Sequence, residues 1–143
     1  MPFDAVGFPI DAAAKVPDAP TGVVGRLWRG LRARLREVSD DHQRGAVVAV
    51  LRDARALISD EAAWVQGVYE RDGRRCAMGA LQEAGRGTWR VVRRDAAAAL
   101  EAVARLNGHH AVESMNDSVG HAEVLAMFDA AMRRAGGGAG RAG

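Results

Sequence analysis

Cys76, the only cysteine in the chain, has a sequence setting that suits a reactive thiol. It lies where a predicted hairpin strand passes into a predicted helix, close to the positive end of that helix, and directly follows Arg74 and Arg75. Both features lower the pKa of a thiol and so raise the fraction of thiolate. The alternative is a buried, inert cysteine that fills a small gap, which is the usual role of a free cysteine.

His121 has the spacing of a histidine that faces a protein core. With Val124, Leu125 and Phe128 it follows the pattern i, i+3, i+4 and i+7 in the predicted last helix, about residues 119–134. These four side chains therefore share one helical face. There the imidazole can act as a base, an acceptor or a ligand. It can equally be a half-buried ring that satisfies nearby backbone groups.

Three polar side chains complete a candidate site around Cys76 and His121. Asn116 and Asp117 precede the last helix, where such residues either orient a catalytic histidine or simply cap the helix. Gln66 carries an amide that suits an oxyanion donor. The set predicts one candidate activity, a thiol-dependent hydrolase or acyltransferase with Cys76 as nucleophile and His121 as base. The spacing alone does not bring the sulfur within hydrogen-bond reach of the ring.

Metal and cofactor binding have little support in the sequence. Cys76, His109, His110 and His121 form no pairs at zinc-finger spacing, and the H-E-x-x-H motif is missing. The sequence also lacks a phosphate-binding loop of the Walker type. We therefore predict neither a metal nor a cofactor.

The elements that must position these residues are predicted to be mostly helical. The chain is rich in alanine and poor in aromatic residues, and its apolar residues recur at helical spacing. We expect a compact helical bundle of about five helices with at most one small β-hairpin, near residues 67–76. A single domain, 23–135, is expected between a flexible proline-rich arm, 1–22, and a disordered glycine-rich tail, 136–143.

The first predicted helix, about residues 23–38, is amphipathic and basic. Its apolar stripe consists of Val24, Leu27, Trp28, Leu31, Leu35 and Val38, and its arginines lie mostly elsewhere. A helix of this kind can bind a membrane surface or a partner. The alternative, which we favour from sequence, is a surface helix whose stripe docks on the core.

Capping signals divide the rest of the chain. Residues 39–41 and 59–61 each have the serine and acidic residues of a helix start, and Asp95 is expected to cap another helix. The segment 88–92 suits a short strand or irregular structure.

Trp64 is expected to be largely buried, because large aromatic side chains dominate the packing of a core that contains few of them.

Charge and composition indicate a cytoplasmic protein without a nucleic-acid or membrane partner. The net charge is +2, and arginines alternate with acidic residues through most of the chain, which is typical of a solvated surface. The N-terminus lacks the apolar run of a signal peptide, and apolar stretches stay far shorter than the roughly 20 residues of a membrane span. A lone cysteine fits a reducing compartment.

Several short motifs occur in the fixed order of a known family. They are Ala56-Leu57-Ile58, Trp64-Val65-Gln66-Gly67-Val68-Tyr69, Cys76-Ala77-Met78-Gly79-Ala80-Leu81, Asn116-Asp117 and Gly120-His121-Ala122-Glu123-Val124-Leu125-Ala126-Met127-Phe128-Asp129. Over about residues 51–134 the chain resembles an uncharacterised bacterial and phage family of small helical proteins, domain of unknown function 6197. Met115 and Gly120 depart from the family pattern, which has an aromatic residue and a threonine there. The resemblance implies a fold and recurring polar positions, without a settled activity.

Two hypotheses of function follow. The leading one is a small helical interaction module that binds a protein partner, or a second copy of itself, through the N-terminal arm and the first helix. It is favoured by the detachable N-terminal segment with its Leu/Trp stripe. The other is the thiol-dependent enzyme described above.

Overall fold

The computed structural model describes residues 22–137, and these residues are mostly helical. The predicted proline-rich arm, apart from Gly22, and most of the predicted glycine-rich tail lie outside the described residues. The chain divides into two units after Ser39.

The described residues form five α-helices, one 3₁₀ turn and one hairpin. The helices are α1 (Val23–Leu57), α2 (Ala77–Ala84), α3 (Arg90–Leu106), α4 (Val112–Ser118) and α5 (His121–Ala135). The 3₁₀ turn is Glu61–Ala63, and the hairpin pairs β1 (Glu70–Arg71) with β2 (Arg74–Arg75). Asp72 and Gly73 both have positive φ at its tip, as a tight hairpin turn requires. The predicted mostly helical fold with one small hairpin is confirmed.

Several predicted boundaries were wrong. The helix start expected at residues 39–41 is absent, because α1 runs through them as one helix of 35 residues. Serine and aspartate cost little at exposed positions inside a helix, so capping residue types alone do not end one. α3 begins at Arg90, within the segment 88–92, and Asp95 lies inside it. There its carboxylate accepts a hydrogen bond of 2.6 Å from Gln43 of α1 instead of capping a helix.

The core of the second unit collects the apolar faces of all five helices. Its largest fully buried side chains are Phe128, Leu51, Ile58, Leu100, Met127 and Val124. The predicted apolar stripe of α5 therefore faces the core, as does the stripe in the C-terminal half of α1. Alanines such as Ala54, Ala80 and Ala96 are fully buried, which lets these helices pack closely.

The apolar stripe at the start of α1 is exposed, whereas the sequence favoured a stripe that docks on the core. Its members are 51–68% exposed: Val24, Leu27, Trp28, Leu31, Leu35 and Val38. Among residues 22–137 we find no helix with the length and apolar character that a membrane crossing needs.

Candidate functional site

Asn116 is the centre of a buried polar cluster that joins α4 to the segments before and after the hairpin. Its Oδ1 accepts hydrogen bonds from Trp64 Nε1 (2.8 Å) and from the backbone N–H of Ala77 (3.0 Å). Its Nδ2 donates to the Val65 carbonyl (3.1 Å) and to Asp117 Oδ1 (3.0 Å). Two donor-only groups face Oδ1, so the orientation of the amide is fixed by chemistry.

These four bonds use the whole hydrogen-bonding capacity of the Asn116 side chain, which is 0% exposed. An amide in this state has no donor or acceptor left with which to orient a catalytic ring. Its role is to satisfy backbone groups of two segments that lie 39 and 51 residues away in the chain.

Gln66 and Asp117 are engaged in the same way. Gln66 Nε2 donates to the carbonyls of Asn116 (2.9 Å) and Val119 (3.0 Å), which uses both of its N–H groups. Gln66 thus has no donor left for an oxyanion. Asp117 Oδ1 also accepts from the backbone N–H of Gly67 at 2.8 Å. The two side chains tie the chain after Trp64 to α4.

Cys76 caps the N-terminus of α2. Its Sγ accepts a hydrogen bond from the Gly79 N–H at 3.3 Å, and its backbone N–H donates to the Tyr69 carbonyl at 3.1 Å. A Cβ built on Gly79 would overlap the Tyr69 carbonyl oxygen. The absence of a side chain at Gly79 therefore lets the segment that leads into the hairpin pass directly against α2.

The environment of Cys76 opposes ionisation. Its side chain is 4% exposed, and burial raises the pKa of the thiol more than its bonds from the Gly79 and Met78 N–H groups lower it. The nearby carboxylates of Asp117 and Glu113 raise the pKa further. The helix end lowers this pKa as predicted, through the two N–H groups, but burial outweighs it and the net shift is upward, opposite to the prediction. Sequence proximity to arginine does not offset the loss of water around the sulfur.

His121 faces inward, as its spacing predicts, but it contacts groups other than Cys76. Its Nε2 lies 2.6 Å from the Ile58 carbonyl oxygen. A carbonyl only accepts, so Nε2 carries the hydrogen, and in the neutral ring Nδ1 is left as the acceptor. The ring also packs on Trp64, with centroids 5.5 Å apart and planes inclined by 46°. Within the described residues no hydrogen bond joins His121 to Cys76.

A small cleft of about 210 Å³ lies beside the cluster, lined by Gly67, Val68, Tyr69, Cys76, Glu113, Asn116 and Asp117. At its edge the Tyr69 hydroxyl donates to Glu113 Oε1 at 3.2 Å, and this bond raises the pKa of the tyrosine. The charged groups on its wall are carboxylates, which favour a neutral thiol. Among the described residues we find no group of three side chains suited to hold a metal ion.

The structure therefore brings Gln66, Asn116 and Asp117 together by hydrogen bonds and places Cys76 on a cleft with Asn116 and Asp117. It puts His121 against the Ile58 carbonyl and the ring of Trp64. Sequence reasoning missed the pairing of Tyr69 with Glu113, because α4, which carries Glu113, was not predicted. It expected Trp64 to be largely buried; the side chain is partly buried, and it does contact α5 through His121.

The candidate site lies in the part of the chain that matches a known family. Residues 42–134 match the model of a family of unknown function, DUF6197, and the chain belongs to that family. No curated protein and no solved structure matches the chain. The polar cluster around Asn116 lies entirely within the matched residues.

Proposed function

We propose that this chain is a non-catalytic interaction module whose contact element is the N-terminal part of α1. The observation that carries the proposal is the exposure of the apolar stripe, whose six side chains are each more than half accessible. A contiguous exposed apolar surface of this kind is typical of a recognition site. Trp28 lies within it, and tryptophan is enriched among residues that dominate binding energy.

The charge of this segment supports a partner of particular chemistry. Residues 22–39 contain five arginines and one glutamate. The spacing of Val24, Leu27, Leu31 and Leu35 is that of a helix that lays its apolar face into a groove. The partner is accordingly a protein with an apolar groove bordered by carboxylates, because opposite charge at the rim speeds and orients docking.

A second copy of the chain fits less well. Two copies of this helix would bring ten arginines together against two glutamates, and like charges across an interface are costly. The stripe also spans only about two heptads, fewer than the three or four that indicate a stable coiled coil.

The remaining hypothesis, a thiol-dependent hydrolase or acyltransferase, keeps one supporting observation. Cys76 is one of the residues that line the 210 Å³ cleft, which has room for a small substrate. Against it stand the raised pKa of the thiol and the full engagement of Gln66 and Asn116 in structural hydrogen bonds. We rank it second.

The proposal is tested by measuring the affinity for a partner identified by crosslinking from position 31 in the native cell. With both proteins purified, we expect Leu31→Ser combined with Leu35→Ser to weaken binding at least tenfold. The matched variant Arg29→Ser with Arg36→Ser, on the opposite helical face, should lower mainly the association rate. Equal affinity of wild type and the leucine variant would refute the proposal.

Sedimentation and vesicle binding of the purified chain distinguish the other molecules that could cover the stripe, a second copy or a membrane surface. We expect a monomer for wild type and for the leucine variant alike. A dimer that dissociates in the leucine variant would assign the stripe to a second copy. Binding to anionic vesicles that depends on both leucines would assign it to a membrane surface.

A further inference from the structure

A second surface, independent of α1's stripe, lies at the start of α3. Arg90, Arg93 and Arg94 line a cavity of about 310 Å³, which we call the arginine cavity. Met78, Leu81 and Ala97 supply its apolar wall and Gln82 an amide. Within the described part of the chain, the lining includes three guanidinium groups and no carboxylate.

The positive charges that line this cavity are mostly unbalanced within the described residues. α3 starts without a side-chain cap and without an acidic residue in its first turn. The positive end of the helix dipole is thus surrounded by arginines, although cations there destabilise a helix. Arg94 contacts Asp95 at 3.4 Å, whereas Arg90 and Arg93 form no ion pair within residues 22–137.

Arg93 packs closely on Gly85, the residue that follows α2. A Cβ built on Gly85 would lie 2.8 Å from Arg93 Cγ and 2.9 Å from its Cδ. The aliphatic stem of Arg93 therefore lies directly across the glycine, and only a residue without a side chain allows it. This packing places the first part of the Arg93 side chain against Gly85, and the guanidinium group lies beyond it at the exposed surface.

Trp89 adds an aromatic surface beside the cations. It is the residue immediately before Arg90, forms the N-cap position of α3, and is 83% exposed. Trp89 is not part of the cavity lining, but it adjoins Arg90 in the chain. An exposed indole beside arginines is an arrangement with which proteins bind unpaired bases, which stack on the ring while arginines hold the phosphates.

We propose that the arginine cavity and Trp89 together bind single-stranded nucleic acid. Phosphates would be held by Arg90, Arg93 and Arg94, and a base would stack on Trp89. An acidic peptide would satisfy the arginines but leaves the exposed indole unexplained. The expectation of no nucleic-acid partner relied on the alternation of charges along the chain; folding gathers three arginines onto one cavity.

The test uses the full chain and fluorescently labelled single-stranded DNA and RNA of about 12 nucleotides, with anisotropy measured over a range of salt concentrations. We expect Arg90→Ser with Arg93→Ser to weaken binding and to reduce the slope of log affinity against log salt by about 1.4, two contacts at about 0.7 each. Trp89→Ala should weaken binding roughly 5- to 150-fold with an unchanged slope, since it removes stacking.

Matched controls isolate the site. Arg71→Ser with Arg74→Ser on the hairpin removes the same charge and should leave affinity within about twofold, apart from the general effect of net charge. Gly85→Ala should displace Arg93 and weaken binding without removing any charge. The melting temperatures of the α3 arginine variants should be equal to that of wild type or higher, because like charges are removed from the positive end of α3.

Three results would overturn the proposal. One is the failure of all labelled strands to bind at 0.15 M salt. Another is an equal loss of affinity in the hairpin control. The last is displacement of the labelled strand by an acidic peptide or inorganic phosphate at the concentration at which an unlabelled strand displaces it. That result would assign the cavity to anions in general.

Discussion

The indole nitrogen of Trp64 donates a hydrogen bond of 2.8 Å to Oδ1 of Asn116, and the two residues are 52 positions apart in the chain. The same oxygen accepts from the first residue of α2, so one buried atom joins the segment before the hairpin, α2 and α4. Because Asn116 has no exposed surface, these bonds lie away from bulk water, and loss of the side chain leaves buried polar groups without their partners.

Replacement of Asn116 should therefore cost stability before anything else. In Asn116→Ala the donors of Trp64 and Ala77 and the acceptor of Val65 lose their buried partner, and we expect a loss of about 3 kcal/mol or more in the free energy of unfolding. Urea denaturation measures it. Asn107→Ala is the control, since that exposed amide caps the end of α3 through the Val103 carbonyl and should cost less than about 1 kcal/mol. Equal losses would show that the cluster has no special role.

The pair itself can be isolated by a double-mutant cycle. Trp64→Phe keeps an aromatic ring but removes the indole N–H, so its effect should depend on whether Asn116 is present. We expect a coupling energy of about 0.5–3 kcal/mol between Trp64→Phe and Asn116→Ala, as for other residues in one hydrogen-bond network. Strict additivity would mean that the 2.8 Å bond does not contribute.

Gly79 provides a test of the close packing between α2 and the hairpin. Gly79→Ala places a methyl group onto the Tyr69 carbonyl oxygen, and the obstacle is backbone, which cannot move without disturbing the strand. We expect a loss of about 1–3 kcal/mol or more, as in other overpacked cores. Gly45→Ala in α1, where a Cβ meets no atom within 4 Å, should instead stabilise by about 0.5–1 kcal/mol. A neutral Gly79→Ala would contradict the structure.

The buried thiol should appear in the pH dependence of stability. Burial raises the pKa of Cys76, so the folded state holds its proton more tightly than the unfolded chain does. The contribution of the buried thiol to the free energy of unfolding is therefore fully present below about pH 8.5, where the unfolded thiol is protonated. This contribution falls as pH rises toward the folded pKa, by up to about 1.4 kcal/mol per pH unit. Cys76→Ala should remove this part of the slope between pH 8 and 9.5. The same slope in Cys76→Ala would exclude the thiol as its source.

The reactivity of the same thiol distinguishes the two functional hypotheses. We expect slow alkylation of native Cys76 by iodoacetamide at pH 6–7, at a rate unchanged in His121→Ala once stability is matched. The reason is that His121 bonds the Ile58 carbonyl and the thiol is buried and neutral. Rapid alkylation at pH 6 that is lost in His121→Ala would favour the thiol enzyme over the interaction module.

The sequence anticipated the helices and the polar residues but misjudged their use. Spacing alone placed Val124 and Phe128 in the core and His121 facing inward, because helical periodicity is local information. The partners of Asn116 lie about 40 to 50 residues away, and residue types that suit catalysis suit structural hydrogen bonding equally well. α4 escaped prediction because it is a single short helix of seven residues with little periodicity.

The central claim, that the first part of α1 is the contact element, is tested most directly by site-specific photocrosslinking in the native cell. A photoreactive residue is placed in turn at positions 27, 31 and 35 on the stripe and at 29 and 36 on the opposite face. We predict that one protein is crosslinked from the three stripe positions and much less from the other two. Crosslinking of equal yield from both faces, or mainly from positions 29 and 36, would contradict the claim.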